Sequence, residues 1–108
     1  MPRLLELCCG ENQSISTVAR ELGWDCVSLD WNKKTNPTIC CDVREFDPAE
    51  HGRFDLAWAS PDCREISQNR QAKPGDVEFS DSVSKKCVEL LCWYRDHQGA
   101  RCWLENPQ

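Results

Sequence analysis

Residues 3–9 (RLLELCC) form an apolar run that stops at Gly10, the pattern of a short strand covered on both faces. Apolar positions then fall at Ile15, Val18, Ala19 and Leu22, one face of a helix of about two turns. Asn12 or Ser14 is its expected cap and Gly23 its stop. Residues 25–29 (DCVSL) give a second strand ending in Asp30, and a loop with Asn36-Pro37 leads to a third, 38–41 (TICC), ending in Asp42. The stretch 43–52 is mixed, with a short helix expected from Pro48. Residues 54–59 (FDLAWA) make a fourth strand closed by Ser60-Pro61. After a polar stretch, Val83, Cys87, Leu90, Leu91 and Tyr94 mark a strong helix that Gly99 terminates, and 101–104 (RCWL) is the fifth strand.

Strands alternating with helices at this spacing predict parallel βαβ units in an α/β, doubly wound, Rossmann-like sheet. At 108 residues the chain is expected to be a single domain, 1–108. Ligands of such sheets bind beyond the carboxyl ends of the strands where strand order reverses. That singles out 10–12, Asp30, Asp42, 60–63 and 105–107.

With 40% hydrophobic and 29% charged residues, 5 Gly and 6 Pro, the composition excludes collagen-like and disordered classes. No apolar run reaches the ~18 residues of a membrane span, and no secretion leader opens the chain, so an intracellular protein with no membrane partner is expected, in the cytoplasm or, if viral, in the host cell. A net charge of −5 weighs against the whole surface gripping phosphate backbones. Nucleic-acid contact must be local, and 64–75 offers Arg64, Arg70 and Lys73 against the single acid Glu65. The 9 cysteines are odd in number and contain no C-x-x-C. The doublets Cys8-Cys9 and Cys40-Cys41 sit on strands, where successive side chains point to opposite faces and cannot share a metal. Free thiols behaving as small hydrophobes, and no metal site, are the expectation.

Chemistry gathers at the strand ends. A strand, Gly10 and a helix in succession place backbone N–H groups and a positive helix end beside a ligand, although the G-x-G-x-x-G fingerprint itself is absent. Asp30 follows 20 positions later, where an acid can accept both ribose hydroxyls, which points to an adenosine-containing cofactor. The competing reading of a lone acid there is a solvated turn residue. Asp42 is placed to accept an adenine amino group, or is a plain loop acid. Cys63 follows the fourth strand in the run S-P-D-C and is a nucleophile when ionised, a state that Arg64 favours and Asp62 disfavours. Glu105, ending the fifth strand, is its expected neighbour.

The runs LLELCCG, CVSLDWN, FDLAWASPDC and CWLENP, in this order and spacing, resemble the amino-terminal half of a 5-cytosine DNA methyltransferase of the compact phage and large-virus kind. The resemblance implies a class I S-adenosylmethionine fold and DNA as substrate. Cys9, Gly10, Asn12, Asp30, Trp31, Asp42, Val43 and Ser60 would then surround the cofactor. Cys63 would add to carbon 6 of a flipped cytosine while Glu105 engages ring nitrogen 3, and Arg64, Ser67, Arg70, Asn106 and Pro107 would face the DNA. The stretch 64–75 matches the family's mobile segment, which closes on DNA.

Three departures shape the expectation. Asn12 stands where the family usually has a second glycine, and Asp62 where it has proline before the cysteine. The chain stops at Gln108, just past the fifth strand, whereas the family's sheet has two more strands and a target-recognition region. The domain is therefore expected to be incomplete at its carboxyl end, with a free edge beside the fifth strand for a second chain or a second copy. Trp93 and Trp103 near that end are expected in the core, with a contact role as the alternative. Two other functions compete: a non-catalytic binding or assembly module that keeps the fold, and an exocyclic-amino DNA methyltransferase. The latter uses an aromatic to stack the base where this chain has Cys63.

Overall fold

Strand β1 (Arg3–Leu7) is the centre of a five-stranded sheet of order β3-β2-β1-β4-β5, in which every pairing is parallel. The computed structural model describes residues 2–10, 13–61 and 74–105, without the side chains of 74–81. The remaining elements are α1 (Ser14–Glu21), β2 (Asp25–Asp30), β3 (Ile39–Cys40), β4 (Leu56–Ala59), α2 (Pro74–Gln98) and β5 (Arg101–Leu104). The α/β, doubly wound class expected from the sequence is the class observed. Among the described residues no helix is long and apolar enough to cross a membrane.

Strand alternation divides β1 between two faces. Leu5 and Leu7 join Val27, Leu29, Ala57 and Ala59 against Cys87, Leu90, Leu91 and Tyr94, which form one stripe along α2. Leu4 and Glu6 face the other way, under α1, whose Ser16 and Ala19 are buried. One helix on each face is the doubly wound arrangement. The chain runs outward from β1 through β2 to β3, then returns to lay β4 on the other flank of β1. The switch point is therefore the crevice between the ends of β1 and β4.

Local chemistry explains the boundaries. Leu22 is the C-cap of α1, and Gly23, at φ 85°, bonds back to Arg20. Asn32, Asp42 and Asp47 each accept the N–H two residues ahead, nucleating 3-10 turns at Lys33–Thr35, Val43–Glu45 and Pro48–Glu50. The helix expected from Pro48 is thus a single 3-10 turn. Strand β4 begins at Leu56; ahead of it Asp55 bonds Arg3 and Arg101 through the backbone, and Phe54 gives its N–H to the Gln98 side chain at 2.8 Å.

Three expectations need correction. The doublets Cys8-Cys9 and Cys40-Cys41 are not strand pairs: β1 ends at Leu7 and β3 at Cys40, and Cys8 turns off the strand at φ 56°. The N-cap of α1 is Gln13, left-handed at φ 43° and making no side-chain cap bond, while Ser14 is already helical. A buried acid on the strand beneath replaces the missing cap, as described below. Nor is Trp103 a core residue: it is 58% exposed and stacks on Trp58 with ring centroids 5.6 Å apart, because no described element covers that face of β4 and β5. Trp93 is half-buried, edge-on to Tyr94 and stacked on His97.

Candidate active site

The parallel register brings the sequence-separated strand ends to one edge. Cys9 donates its N–H to Leu29, Ser60 to Leu7, Cys41 to Asp30 and Glu105 to Ala59, at 3.0, 3.2, 3.1 and 2.9 Å. Each is the first residue or two past a strand, so the candidate residues line a single rim around the switch point.

Asp30 organises the cofactor side of that rim. Its side chain is buried, with Oδ2 accepting the Gly10 N–H and Oδ1 the Asn32 N–H, both at 2.9 Å. The carboxylate therefore fixes the glycine loop after β1 and the turn after β2 together. Gly10 has φ 68°, a backbone state that favours glycine, and an added Cβ would meet nothing within 4 Å. The space beside its backbone is open. Next to Asp30, Trp31 is 59% exposed and offers a flat apolar face at the same rim.

The loop is held from below as well. Glu6, 2% exposed in the middle of β1, accepts the Ser16 N–H at 3.0 Å, supplying an acceptor for the first turn of α1, which has no acidic residue of its own. The Gln13 amide donates to the carbonyls of Thr35 and Asn36 at 2.8 and 2.9 Å, tying the start of α1 to the loop beyond β2. Both residues escaped the sequence reading. An acid inside an apolar strand run was a usable signal for Glu6; Gln13 gave none.

The other expected residues divide. Cys9 is buried, and desolvation, reinforced by the charges of Asp30 and Glu6, pushes its thiol up to about 11. Asp42 caps its own turn and also receives the Arg44 guanidinium, which holds its carboxyl below the usual carboxylate range. Val43 is packed into the α2-side core, so it lends the rim backbone and not an open side chain. The Ser60 hydroxyl accepts from the Trp58 indole N–H at 2.8 Å. Glu105 is exposed beside it, one register step beyond the Ala59–Leu104 pair. Cys63, Asn12, Arg64, Ser67, Arg70, Asn106 and Pro107 lie outside the described residues.

No protein-family model matches the chain. A Frog virus 3 (isolate Goorha) protein described as a probable DNA (cytosine-5)-methyltransferase is 33% identical over 90 residues, 81% of this chain. The chain spans 41% of that relative's length. A solved structure of the plantazolicin methyltransferase BpumL, with a desmethylPZN analog and SAH, aligns at TM-score 0.45 and 11% identity. That alignment covers 90% of this chain and 56% of the other. Over four-fifths of its length the chain is thus similar to a DNA (cytosine-5)-methyltransferase, the family its strand-end motifs resemble.

Proposed function

We propose that this chain performs S-adenosylmethionine-dependent methyl transfer to carbon 5 of cytosine in DNA, or supplies the cofactor-binding and nucleophile-bearing part of that reaction. The observation that carries the reading is the buried Asp30 carboxylate clamping Gly10 at the switch point of a parallel sheet. The residues fit an adenosyl group. Each Asp30 oxygen gives one lone pair to a backbone N–H and keeps another for a ribose hydroxyl. The open space at Gly10 admits the ligand against the backbone, and Trp31 presents a face for the adenine ring. Asp42, held by Arg44, sits after β3 at the adenine end.

When bound, the cofactor supplies an electrophilic methyl group. The chain's own residues prepare the acceptor. The Cys63 thiolate adds to carbon 6 of an extruded cytosine, turning carbon 5 into a nucleophile, and Glu105 engages ring nitrogen 3 to offset the developing charge. Loss of the carbon 5 proton and departure of Cys63 then restore the ring. Arg64, Ser67, Arg70, Asn106 and Pro107 make the local DNA contacts in this reading, which places the protein where DNA is, inside a cell. Strand β5 is one of the two outer strands of the described sheet, and a second polypeptide or second copy pairing with it is the further partner this reading assigns.

The test is covalent capture on DNA carrying 5-fluorocytosine, which blocks the final proton loss. A denaturation-resistant adduct that requires both the cofactor and Cys63 is expected, and Cys63→Ser should abolish it. One observation favours a second reading, a cofactor-binding module without turnover: Asp62 adjoins Cys63 and disfavours its thiolate. Cofactor binding without any adduct, both by this chain alone and by the chain together with the polypeptide that pairs with it, selects that reading and overturns the first.

A further inference from the structure

Cys8 leaves β1 at φ 56°, a left-handed state that L side chains rarely adopt. The turn directs its side chain to the α2 face, where its Sγ lies 3.8 Å from that of Cys87. Cys87 is fully buried in α2, and Cys8 is half-buried. Among the described residues no other sulfur–sulfur contact of this kind is present, and all the described thiols are free. The proposed reaction uses neither of these two cysteines. Cys8 nevertheless lies two residues before Gly10, and α2 is the helix entered after the segment that carries Cys63.

We propose that Cys8 and Cys87 are a redox-responsive pair that closes to a disulfide, joining the cofactor loop to α2. Closure brings the sulfurs from 3.8 Å to about 2.05 Å. With glutathione disulfide as oxidant, the Cys8 thiolate attacks one glutathione sulfur and expels a glutathione thiolate. The Cys87 thiolate then attacks Cys8 Sγ and expels the second glutathione. Two protein thiols are oxidised to one disulfide, one small disulfide is reduced to two thiols, and the two protein protons pass to the leaving thiolates. The hydrogen bond shared with Cys87, together with burial, holds the Cys8 thiol well above the ordinary thiol range. Closure is therefore slow at neutral pH and quickens as pH rises. Because the pair is separated by 79 residues, the bond removes much of the freedom of the unfolded chain.

The native protein is equilibrated with glutathione at graded oxidised-to-reduced ratios, remaining thiols are alkylated, and peptides are mapped without reduction. The expected result is a Cys8–Cys87 linked peptide as the main internal crosslink, with a Tm raised by roughly 10 °C or more over the reduced protein. Both should vanish in Cys8→Ser and in Cys87→Ala. Cys8→Ser keeps the test intact if loss of the core sulfur in the other variant prevents folding. Recovery of Cys8 and Cys87 as alkylated thiols from fully equilibrated native protein overturns the proposal, as does a Tm rise that persists in Cys8→Ser.

Discussion

Gly10 donates its backbone N–H to Oδ2 of Asp30 at 2.9 Å, across 20 residues of chain, so the glycine loop and the end of β2 behave as one unit. The other oxygen holds Asn32. Asp30→Asn keeps one acceptor and turns the other into a donor facing an N–H group. The S-adenosylmethionine affinity of this variant should fall at least about tenfold, since a hydrogen bond to a charged group is worth about 1.5–3 kcal/mol. Asp30→Ala should lose more affinity and lower the Tm as well. Calorimetric titration beside thermal unfolding measures both, and an Asn variant that binds like the parent refutes the assigned role of Asp30.

Under the same loop, two substitutions should pull in opposite directions. Glu6 is buried and accepts the Ser16 N–H, so Glu6→Ala leaves an unpaired helix donor and a cavity and should destabilise by about 2–4 kcal/mol. Glu6→Gln keeps an acceptor in place and should cost less. The Ser16 hydroxyl, by contrast, is buried without a hydrogen-bond partner among the described residues. Ser16→Ala removes that unsatisfied group and should be neutral or stabilise by up to about 1 kcal/mol. Denaturant midpoints decide, and a Ser16→Ala protein that is clearly less stable would show that the hydroxyl has an unseen partner.

The order of strands and helices was legible because each element carries its own period. The run at 101–104 matches β5 residue for residue, and Ile15, Val18, Ala19 and Leu22 mark out α1. The rim was legible for a related reason: in a parallel sheet the polar residue ending each apolar run lands on one edge, so Asp30, Ser60 and Glu105 were identifiable from position alone. What was hidden depends on tertiary contact. Nothing local tells that Glu6 caps a helix from another element or that Gln13 bridges to Thr35. Trp103 misled because a tryptophan in a short strand is read as core, whereas its exposure is set by which helices cover that face.

The Asp42–Arg44 pair predicts a pH effect with a definite sign. Arg44 holds the Asp42 carboxyl below its ordinary value, so on acidification the unfolded chain takes up the proton first. The resulting stability is present above about pH 4, the unfolded range, and is lost as pH falls through the depressed folded value. Asp42→Asn retains an acceptor for the Arg44 N–H and removes the ionisation. Between about pH 5 and pH 2 its urea midpoint should decline less steeply than the parent's. Because both side chains are partly exposed, the difference should shrink at high salt. Superimposable pH profiles would remove the pair from the acid response.

Under the proposed function, Glu105 is the residue that separates catalysis from folding most cleanly. Its backbone N–H continues the β5 ladder to Ala59 at 2.9 Å, while its side chain is exposed at the rim beside Ser60. Changing the side chain leaves the ladder intact, so Glu105→Gln should alter stability by no more than about 0.5 kcal/mol. An acid that offsets charge developing on the cytosine ring stabilises the transition state far more than the ground state. Methyl transfer should therefore fall by about 10²–10³-fold, mainly in kcat, with cofactor affinity unchanged. Rate assays on cytosine-containing DNA, paired with cofactor titration and unfolding curves, read the three quantities independently. A Gln variant that methylates at the parent rate removes Glu105 from the mechanism. One that loses activity only in proportion to lost stability makes it a structural residue at the end of β5.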